Sequence, residues 1–386
     1  VHVALITHKF VRGDGQGRVN YEIARAALAA GHDVWLVANA VAPELAAHPR
    51  ARVVRFDVGT WPSALLQNQV FAARTALWLR RHRKDLDVVH ANGFVTWGRT
   101  DVSTAHFVHA AWLRSPHHTA NLRRDWYGRY QRLYTWCGAL LEAWSYSAAR
   151  IVVGVSVQVR RELAAAGVDP ARLRVIPNGV DVDEFAPGGG TRAALGMPDG
   201  VVLLFVGDIK TPRKNLDTLV RALASVPHCT LAVVGDTKGS PYPKLARELG
   251  VADRVAFLGY RRDVPALMRA ADVFVFPSRY EACSLVLLEA AASGLPVIAG
   301  RRTGGAELLD GECGVLLDDV EDAGELAAAL RRVVGSAEVR AQMGAAARRA
   351  AERYTWAAMA TEYLAIYREL RTPALRPAAE ARCEVS

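Results

Sequence analysis

Apolar and polar positions along the chain fall into two successive alternations. Residues 1–7 form a short apolar run, and residues 18–30 repeat apolar positions at helical spacing up to Gly31. Apolar runs return at 33–38 and 53–56, a helical pattern covers 65–82, and a further run lies at 87–91. Continuous apolar runs bounded by turn formers predict strands buried on both faces, and their alternation with helices predicts a parallel sheet covered on each side. The alternation restarts after IPNGVDVDEFAPGGG, a turn-rich stretch over 176–190, with strands predicted at 201–206, 230–234, 255–258, 273–277 and 296–299. The expected fold is therefore α/β, with two such units in tandem joined near residue 180. Ligands of open parallel sheets sit beyond the carboxyl ends of the strands, so two units facing each other make a cleft for two substrates.

Length and composition agree with this division. A chain of 386 residues exceeds what one core usually supports, and 51% hydrophobic with 23% charged residues is ordinary for a globular protein. The last dozen residues alone look loose. Forty-eight basic against 39 acidic residues give a net charge of +9, which suits phosphorylated small molecules, anionic lipid or nucleic acid, or simply a solvated basic face. Cys137, Cys229, Cys283, Cys313 and Cys383 are odd in number and contain no CxxC pair, which argues against a disulfide framework or zinc site and fits a reducing compartment. No apolar run approaches ~18 residues, and the N-terminus reads as a first strand rather than a signal peptide. The expected location is cytoplasmic, or peripheral at the inner membrane face.

Residues 97–149 break the pattern. Four histidines fall within 105–118, followed by RRDWYGRYQRLYTWCGALLEAW. Interleaved basic and aromatic residues could meet an acceptor, a membrane surface or single-stranded nucleic acid, while aromatics at helical spacing more often pack a core.

Candidate chemistry is densest in the second unit. In FPSRYEACSLVLLEAAASGLPVIAG, Glu281 and Glu289 are eight residues apart around a helix start near Ser284. A carboxylate on the second turn of that helix can reach vicinal hydroxyls of a ribose, and free N–H groups over 283–286 can hold phosphate. In FVGDIKTPRKNLDTLVRAL, a strand end leads into a loop carrying Lys210, Arg213 and Lys214, cations able to neutralise a diphosphate. In the first unit RGDGQG at 12–17 lies between strand and helix, as a dinucleotide fingerprint would. Arg18 replaces the third glycine, however, and the second strand ends in Ala38-Asn39-Ala40 without an acid, so the fingerprint fails twice.

On these motifs the chain resembles the retaining, GT-B fold glycosyltransferases of family 4, over nearly its whole length. IPNGVDVDEF resembles the family's interdomain segment, VADRVAFLGYRRDVPALMRAADVFVFPS its nucleotide-base region, EACSLVLLEAAASGLPVIA its E-x7-E signature, and RYTWAAMATEYLAIYREL its final helix. The resemblance implies two Rossmann-like domains facing each other across a cleft. Residues 1–180 would bind the acceptor, completed by a helix over 357–372 that crosses back. Residues 181–356 would bind the nucleotide sugar, and 373–386 would be a loose tail.

The resemblance also implies roles. His106, which follows a predicted strand in STAHFVH, and Glu281 would lie at the donor sugar, with His109 as the second histidine candidate. Lys214, supported by Arg213, would bind the diphosphate together with Ser284, Leu285 and Val286, and Glu289 the ribose hydroxyls. Gly259, Tyr260 and Arg261 would hold the base. Asp14-Gly15-Gln16-Gly17-Arg18 resembles the family's G-G-x-G-R loop, so Gly15, Gln16 and Gly17 would face the donor, with Asp14 tolerating a left-handed turn where relatives have glycine. Asp208 stands where many relatives have arginine and is expected to turn away or to orient Lys210 or Arg213.

The implied reaction is transfer of a hexose-like sugar from a nucleoside diphosphate donor to an acceptor hydroxyl on a glycan, glycolipid or natural product. No cofactor or metal is expected, and the partners are the donor, the acceptor and a peripheral membrane contact. Asp181 and Asp183 spell a metal-binding DxD but lie in the linker, where capping is the ordinary role. A hydrolase would not need the basic phosphate loop beside its carboxylates. A nucleotide-sugar epimerase of similar fold is the nearest rival, and no motif supports a nucleic-acid binding protein.

Overall fold

The computed structural model describes residues 1–59, 61–309 and 311–371. The tail expected over 373–386, with Cys383, lies outside the described residues. In the first domain β1 (His2–Ile6), β2 (Asp33–Ala38), β3 (Ala51–Arg55), β4 (Val88–Asn92), β5 (Val102–Ala105), β6 (Ile151–Gly154) and β7 (Leu173–Val175) pair in the order β3-β2-β1-β4-β5-β6-β7, all in parallel. In the second, β8 (Val201–Val206), β9 (Cys229–Val234), β10 (Val255–Gly259), β11 (Val273–Phe276), β12 (Val297–Gly300) and β13 (Gly314–Leu317) pair as β10-β9-β8-β11-β12-β13, again in parallel. In both sheets the strand order reverses beside the first strand, which opens a ligand crevice at the carboxyl ends of β1 and β4 and of β8 and β11. β6, β7 and β13, of three or four residues each, are not among the predicted strands.

The helices that matter for the site are α1 (Gly15–Ala29), α2 (Ala64–His82), α3 (Trp126–Ala148), α4 (Leu216–Ala224), α5 (Leu285–Ala292) and α6 (Trp356–Arg371). Helix α1 starts three residues before the apolar pattern does, because Asp14 caps it by accepting from the Gly17 amide at 2.8 Å. Asp14 is extended (φ −137°), which corrects the expectation of a left-handed residue there.

Helix α6 crosses back onto the first domain. Its Met359, Tyr363, Ile366, Tyr367 and Leu370 are buried in one cluster with Val3, Leu5, Val19, Ile23 and Val88, each burial contributing on the order of 1.5–3 kcal/mol. Polar contacts fix its position: His90 on β4 bonds the Tyr367 hydroxyl at 2.6 Å and Thr104 at 2.8 Å, and Thr104 meets the Tyr363 hydroxyl at 3.3 Å. The two chain crossings between the domains lie side by side, with the Val180 amide bonded to the Tyr354 carbonyl at 2.9 Å. A Cβ on Gly179 would meet the Trp356 amide nitrogen at 2.4 Å, so only glycine permits this approach.

Helix α3 reverses the usual distribution. Its buried face holds Gly128, Thr135, Glu142, Ser145 and Tyr146, whereas Trp126, Tyr127, Leu133, Trp136 and Leu140 are exposed. The core-packing reading therefore fails for Trp126, Tyr127 and Trp136, whereas Tyr130, Tyr134 and Trp144 are half-buried.

Candidate active site

Between the domains lies a cavity of about 790 Å³. Its first-domain wall is the loop after β1, from Arg12 to Gly15, with Arg18 of α1. Its second-domain wall includes Tyr260, Arg261, Leu285 and Glu289, and the linker residues Asp181 and Glu184 close one side. Arg18 reaches across, lying 2.8 Å from Glu22 on its own helix, 3.6 Å from Asp181, 3.9 Å from Glu184, and over the Trp356 ring. Asp181 meanwhile accepts from the amides of Asp183 and Glu184, the capping role expected of it.

Glu289 stands on the second turn of α5, with no hydrogen bond or ion pair to its carboxylate among the described residues. Burial pushes this carboxyl up to about 7, nearby Glu184 adds to the shift, and Arg18 opposes it. An unpartnered carboxylate in a cavity can accept from hydroxyl groups of a guest. Tyr260 is largely exposed at the rim. Arg261 is engaged by Asp263 and the Leu195 carbonyl, while Gly259 sits behind them at φ +70° and does not line the cavity.

The amino end of α5 meets the glycine loop: a Cβ on Gly15 would lie 3.8 Å from Leu285. The Ser284 amide is already bonded to the Gly304 carbonyl at 2.8 Å, which removes it from the expected set of free donors. Leu285 and Val286, the first residues of the helix, have no intrahelical acceptor for their amides. The Ser284 hydroxyl is buried without a partner among the described residues. A Cβ on Gly304 would meet the Ala282 carbonyl oxygen at 2.0 Å, so this turn can press against the segment carrying Glu281 only as glycine.

Beyond β8 the chain forms a short turn, Pro212–Lys214, and Asn215 follows in the left-handed region at φ 58°. Asn215 is held by donating to the Val320 carbonyl at 2.6 Å and accepting from Thr218 at 2.7 Å, which aims Lys214 inward. Lys214 is nearly buried, pairs with Glu281, and lies 5.0 Å from the centre of the Phe276 ring. Burial pulls the ammonium down from its ordinary value, Glu281 opposes this, and Arg213 adds to it. Arg213 bonds the same Glu281 oxygen at 3.2 Å. Two cations thus share one carboxylate and retain positive charge for an anion. Asp208 turns away from them, accepting from the Lys210 amide and the Thr211 hydroxyl at 2.9 Å each, while the Lys210 ammonium goes to Asp236.

A second cavity, of about 190 Å³, adjoins the other side of the glycine loop. Gln16, His8, Asn92, His106, His109 and Glu142 are among its walls. His106 bonds Asn92 at 3.2 Å, and burial pulls its imidazole down to about 4, so it is neutral at physiological pH. His109 is oriented by Glu142, which accepts from its amide at 2.8 Å and from Nδ1 at 2.7 Å. Ala282 packs in one cluster with Ala105 and Val108, which brings the segment of Glu281 against that of His106.

The structure thus brings Gly15, Tyr260, Arg261, Leu285 and Glu289 to one cavity, and Gln16 and His106 to the other. Arg213, Lys214 and Glu281 form a cluster lining neither, and Gly17 is packed against Val11. Three contributors were missing from the sequence reading. Arg18 breaks the dinucleotide fingerprint and completes the G-G-x-G-R resemblance, but neither reading gave it a role of its own, although its place after a glycine loop was a usable signal. Asn92 and Glu142 gave none, because their partners are 14 and 33 residues away.

The description Glycosyltransferase Family 4 matches residues 13–184, and Glycosyl transferases group 1 matches residues 200–336. The chain is 37% identical over 241 residues to a D-inositol 3-phosphate glycosyltransferase of Saccharomonospora viridis, covering 58% of this chain and 56% of that protein. It is 38% identical over 237 residues to the Mycobacterium bovis protein of the same name, covering 57% and 48%. The match spans about half the length of these relatives. Among solved structures, sucrose-phosphate synthase of Thermosynechococcus elongatus superposes with a TM-score of 0.78 at 25% identity, over 96% of this chain and 98% of that one. Anabaena HepE, solved in complex with UDP and glucose, shares the fold at a TM-score of 0.71 and 21% identity, over 95% and 99%.

Proposed function

Because the chain belongs to glycosyltransferase family 4 and has the two-domain GT-B fold, we propose that it moves a hexose-like sugar from a nucleoside diphosphate donor to an acceptor hydroxyl, with retention at the anomeric carbon. The observation that carries this reading is Glu289. A carboxylate without a protein partner opens into the interdomain cavity one turn from the free amides of Leu285 and Val286, a spacing that suits ribose hydroxyls and phosphate together.

In this reading the donor diphosphate draws Lys214 and Arg213 out of their shared contact with Glu281, and Glu281 turns toward the sugar. As the glycosidic bond breaks, negative charge grows on the leaving phosphate beside a nearly buried ammonium, where fixed cations act most strongly. The leaving phosphate takes the acceptor's proton on the face it departs from, so no enzymic nucleophile is required. His106, neutral, can donate or accept at a sugar hydroxyl without adding charge, and Gln16 lines the same cavity. The cations do the work that a divalent metal does in other transferases, so activity should persist in chelator. The acceptor enters from the first domain, and an acceptor held at a membrane surface fits the basic, aromatic outer face of α3.

A thermal-shift panel of UDP-, GDP-, ADP- and dTDP-sugars tests the reading, since a ligand at ~100 times its Kd adds ~2.7 kcal/mol of stability. One donor should raise Tm in the wild type and not in Glu289→Ala. A panel with no response at all would overturn the proposal, and nuclear magnetic resonance of the product's anomeric proton checks retention.

A further inference from the structure

The outer face of α3 is built for an environment other than water. Trp126 (76% exposed), Arg129, Leu133 (52%), Trp136 (51%) and Leu140 (53%) recur at alternating steps of three and four, one continuous stripe along the helix. Leu122, in the turn before the helix, and Tyr127 extend its leading end. Burying large apolar groups is the main favourable term of folding, yet here Gly128, Thr135, Glu142 and Ser145 face inward while Trp126, Leu133, Trp136 and Leu140 face outward.

Charge accompanies the stripe. Arg123, Arg124, Arg129 and Arg132 surround a groove of about 660 Å³ floored by Leu113, Leu133 and Trp136. Over residues 119–141 these four arginines face one acid, Asp125, which pairs with Arg123 at 2.6 Å. Arg132 donates to Asn121, while Arg124 and Arg129 have no acidic partner among the described residues.

We propose that this face docks the protein on an anionic lipid bilayer, with Trp126, Leu133, Trp136 and Leu140 entering the headgroup region and the arginines pairing with lipid phosphates. Tryptophan suits that depth because its ring is apolar and its N–H finds an acceptor there, and arginine side chains can reach outward from an apolar stripe to phosphate. A second copy of the chain is disfavoured as the occupant, since an isologous contact would set four arginines against four. Single-stranded nucleic acid is disfavoured because leucines occupy positions where stacking rings would be needed.

The consequence for the site rests on the sugar-transfer reading. Tyr134, Gly138 and Glu142, on the inner side of α3, line the cavity that holds His106 and His109. A docked helix would hold that cavity close to the bilayer surface, where a lipid-borne acceptor would be met.

Sedimentation with large unilamellar vesicles tests the docking itself. The wild type should pellet with equal parts phosphatidylcholine and phosphatidylglycerol, release at high salt, and stay in solution with phosphatidylcholine alone. Arg124→Ala with Arg129→Ala should lower partitioning about thirtyfold, at roughly fivefold per surface arginine. Trp126→Ser with Trp136→Ser should abolish quenching of tryptophan fluorescence by brominated lipid. These residues are exposed, so Tm and any donor-induced shift should be unchanged in the variants, which separates failure of docking from failure of sugar transfer. Three results would each overturn the proposal: absence of wild-type binding to anionic vesicles, equal binding by the variants, or a dimer in light scattering that the Trp126→Ser/Trp136→Ser variant dissolves.

Discussion

The two domains share a strand order and differ in what fills them. In the second, one continuous apolar cluster runs from Val180 to Ala351 among the described residues, and its candidate chemistry lies on the turns after β8, β10 and β11 and the first two turns of α5. In the first, the described interior divides into three clusters, and polar groups run through it: His90, Asn92, Ser103 and Thr104 are buried on β4 and β5. The second domain sets the cluster of Lys214, Arg213 and Glu281, the proposed anion site, in an apolar frame. The first is assembled from polar pairs and is closed by a helix from the far end of the chain. A site built on one domain's turns tolerates variation elsewhere, whereas one built on buried polar pairs depends on each partner.

The largest test of this contrast is Lys214. If the anion site does most of the catalysis, Lys214→Ala should lower kcat by ~10²-fold or more, the scale of one preorganised donor, while Tm changes little. Near-normal turnover would move the centre of the chemistry to the first domain. Removal should also leave Arg213 as the remaining cation on Glu281, so Arg213→Ala in the same background should lose further activity and not merely repeat the loss.

Acid and base should separate the domains next. Burial holds the His106 and His8 imidazoles down at about 4, with Lys9 adding to the shift of His8, and holds His90 at about 3. The unfolded chain therefore takes up their protons first, and the first domain should lose stability as pH falls from about 6.5 toward 4. Glu289 runs the other way. Its folded carboxyl keeps a proton up to about 7, so it costs stability as pH rises from about 4.5 through 7. Glu289→Gln should thus raise stability on the order of 2 kcal/mol at pH 8, with little change at pH 4, while weakening the donor-induced thermal shift. Calorimetry across pH checks both signs. A destabilised Glu289→Gln at pH 8 would mean that the carboxylate is not strained by its surroundings.

Much of the second domain was legible for the same reason that it is self-contained. Strands predicted at 201–206, 255–258 and 273–277 match β8, β10 and β11 within one residue, because buried parallel strands such as β8 and β11 are continuous apolar runs, and the half-buried edge strand β10 is likewise apolar up to Leu258. The candidate site residues there lie on the turns that follow those strands, within a few residues of the apolar signal. The first domain was harder to read. His90 looks like any histidine in a strand, and its partner Tyr367 is 277 residues away. The stripe on α3 obeys helical spacing, and only the folded chain shows that it faces outward. Periodicity gives the phase of an amphipathic helix and not which side the rest of the protein covers.

Arg18 lies on the boundary between the two modes. It belongs to α1 yet faces Asp181, Glu184 and the Trp356 ring, so it ties the glycine loop to both interdomain crossings. Arg18→Ala should raise the donor's KM about tenfold with a smaller effect on kcat, since its contacts are partly exposed and shape the cavity without touching the anion site. A loss in kcat equal to that of Lys214→Ala would place Arg18 at the leaving group instead.

The smallest expected effects are the most discriminating, because the two glycines of the loop lie two residues apart and face different neighbours. A Cβ on Gly17 would meet the Val11 side chain at 2.9 Å and the Val11 carbonyl at 3.1 Å, inside the first domain. Gly17→Ala should therefore cost about 1 kcal/mol or more of stability through overpacking. A Cβ on Gly15 would meet only Leu285, at the ordinary distance of 3.8 Å across the cleft. Gly15→Ala should leave stability within about 0.5 kcal/mol and donor KM within roughly twofold. Gly15→Leu extends into the cavity between the domains and should raise KM while the fold stays intact. If Gly15→Leu lowered Tm as much as Gly17→Ala and left the kinetics untouched, the loop would be a turn belonging to the first domain alone, and the clamp across the cleft would have to be rebuilt from Arg18 and Glu289.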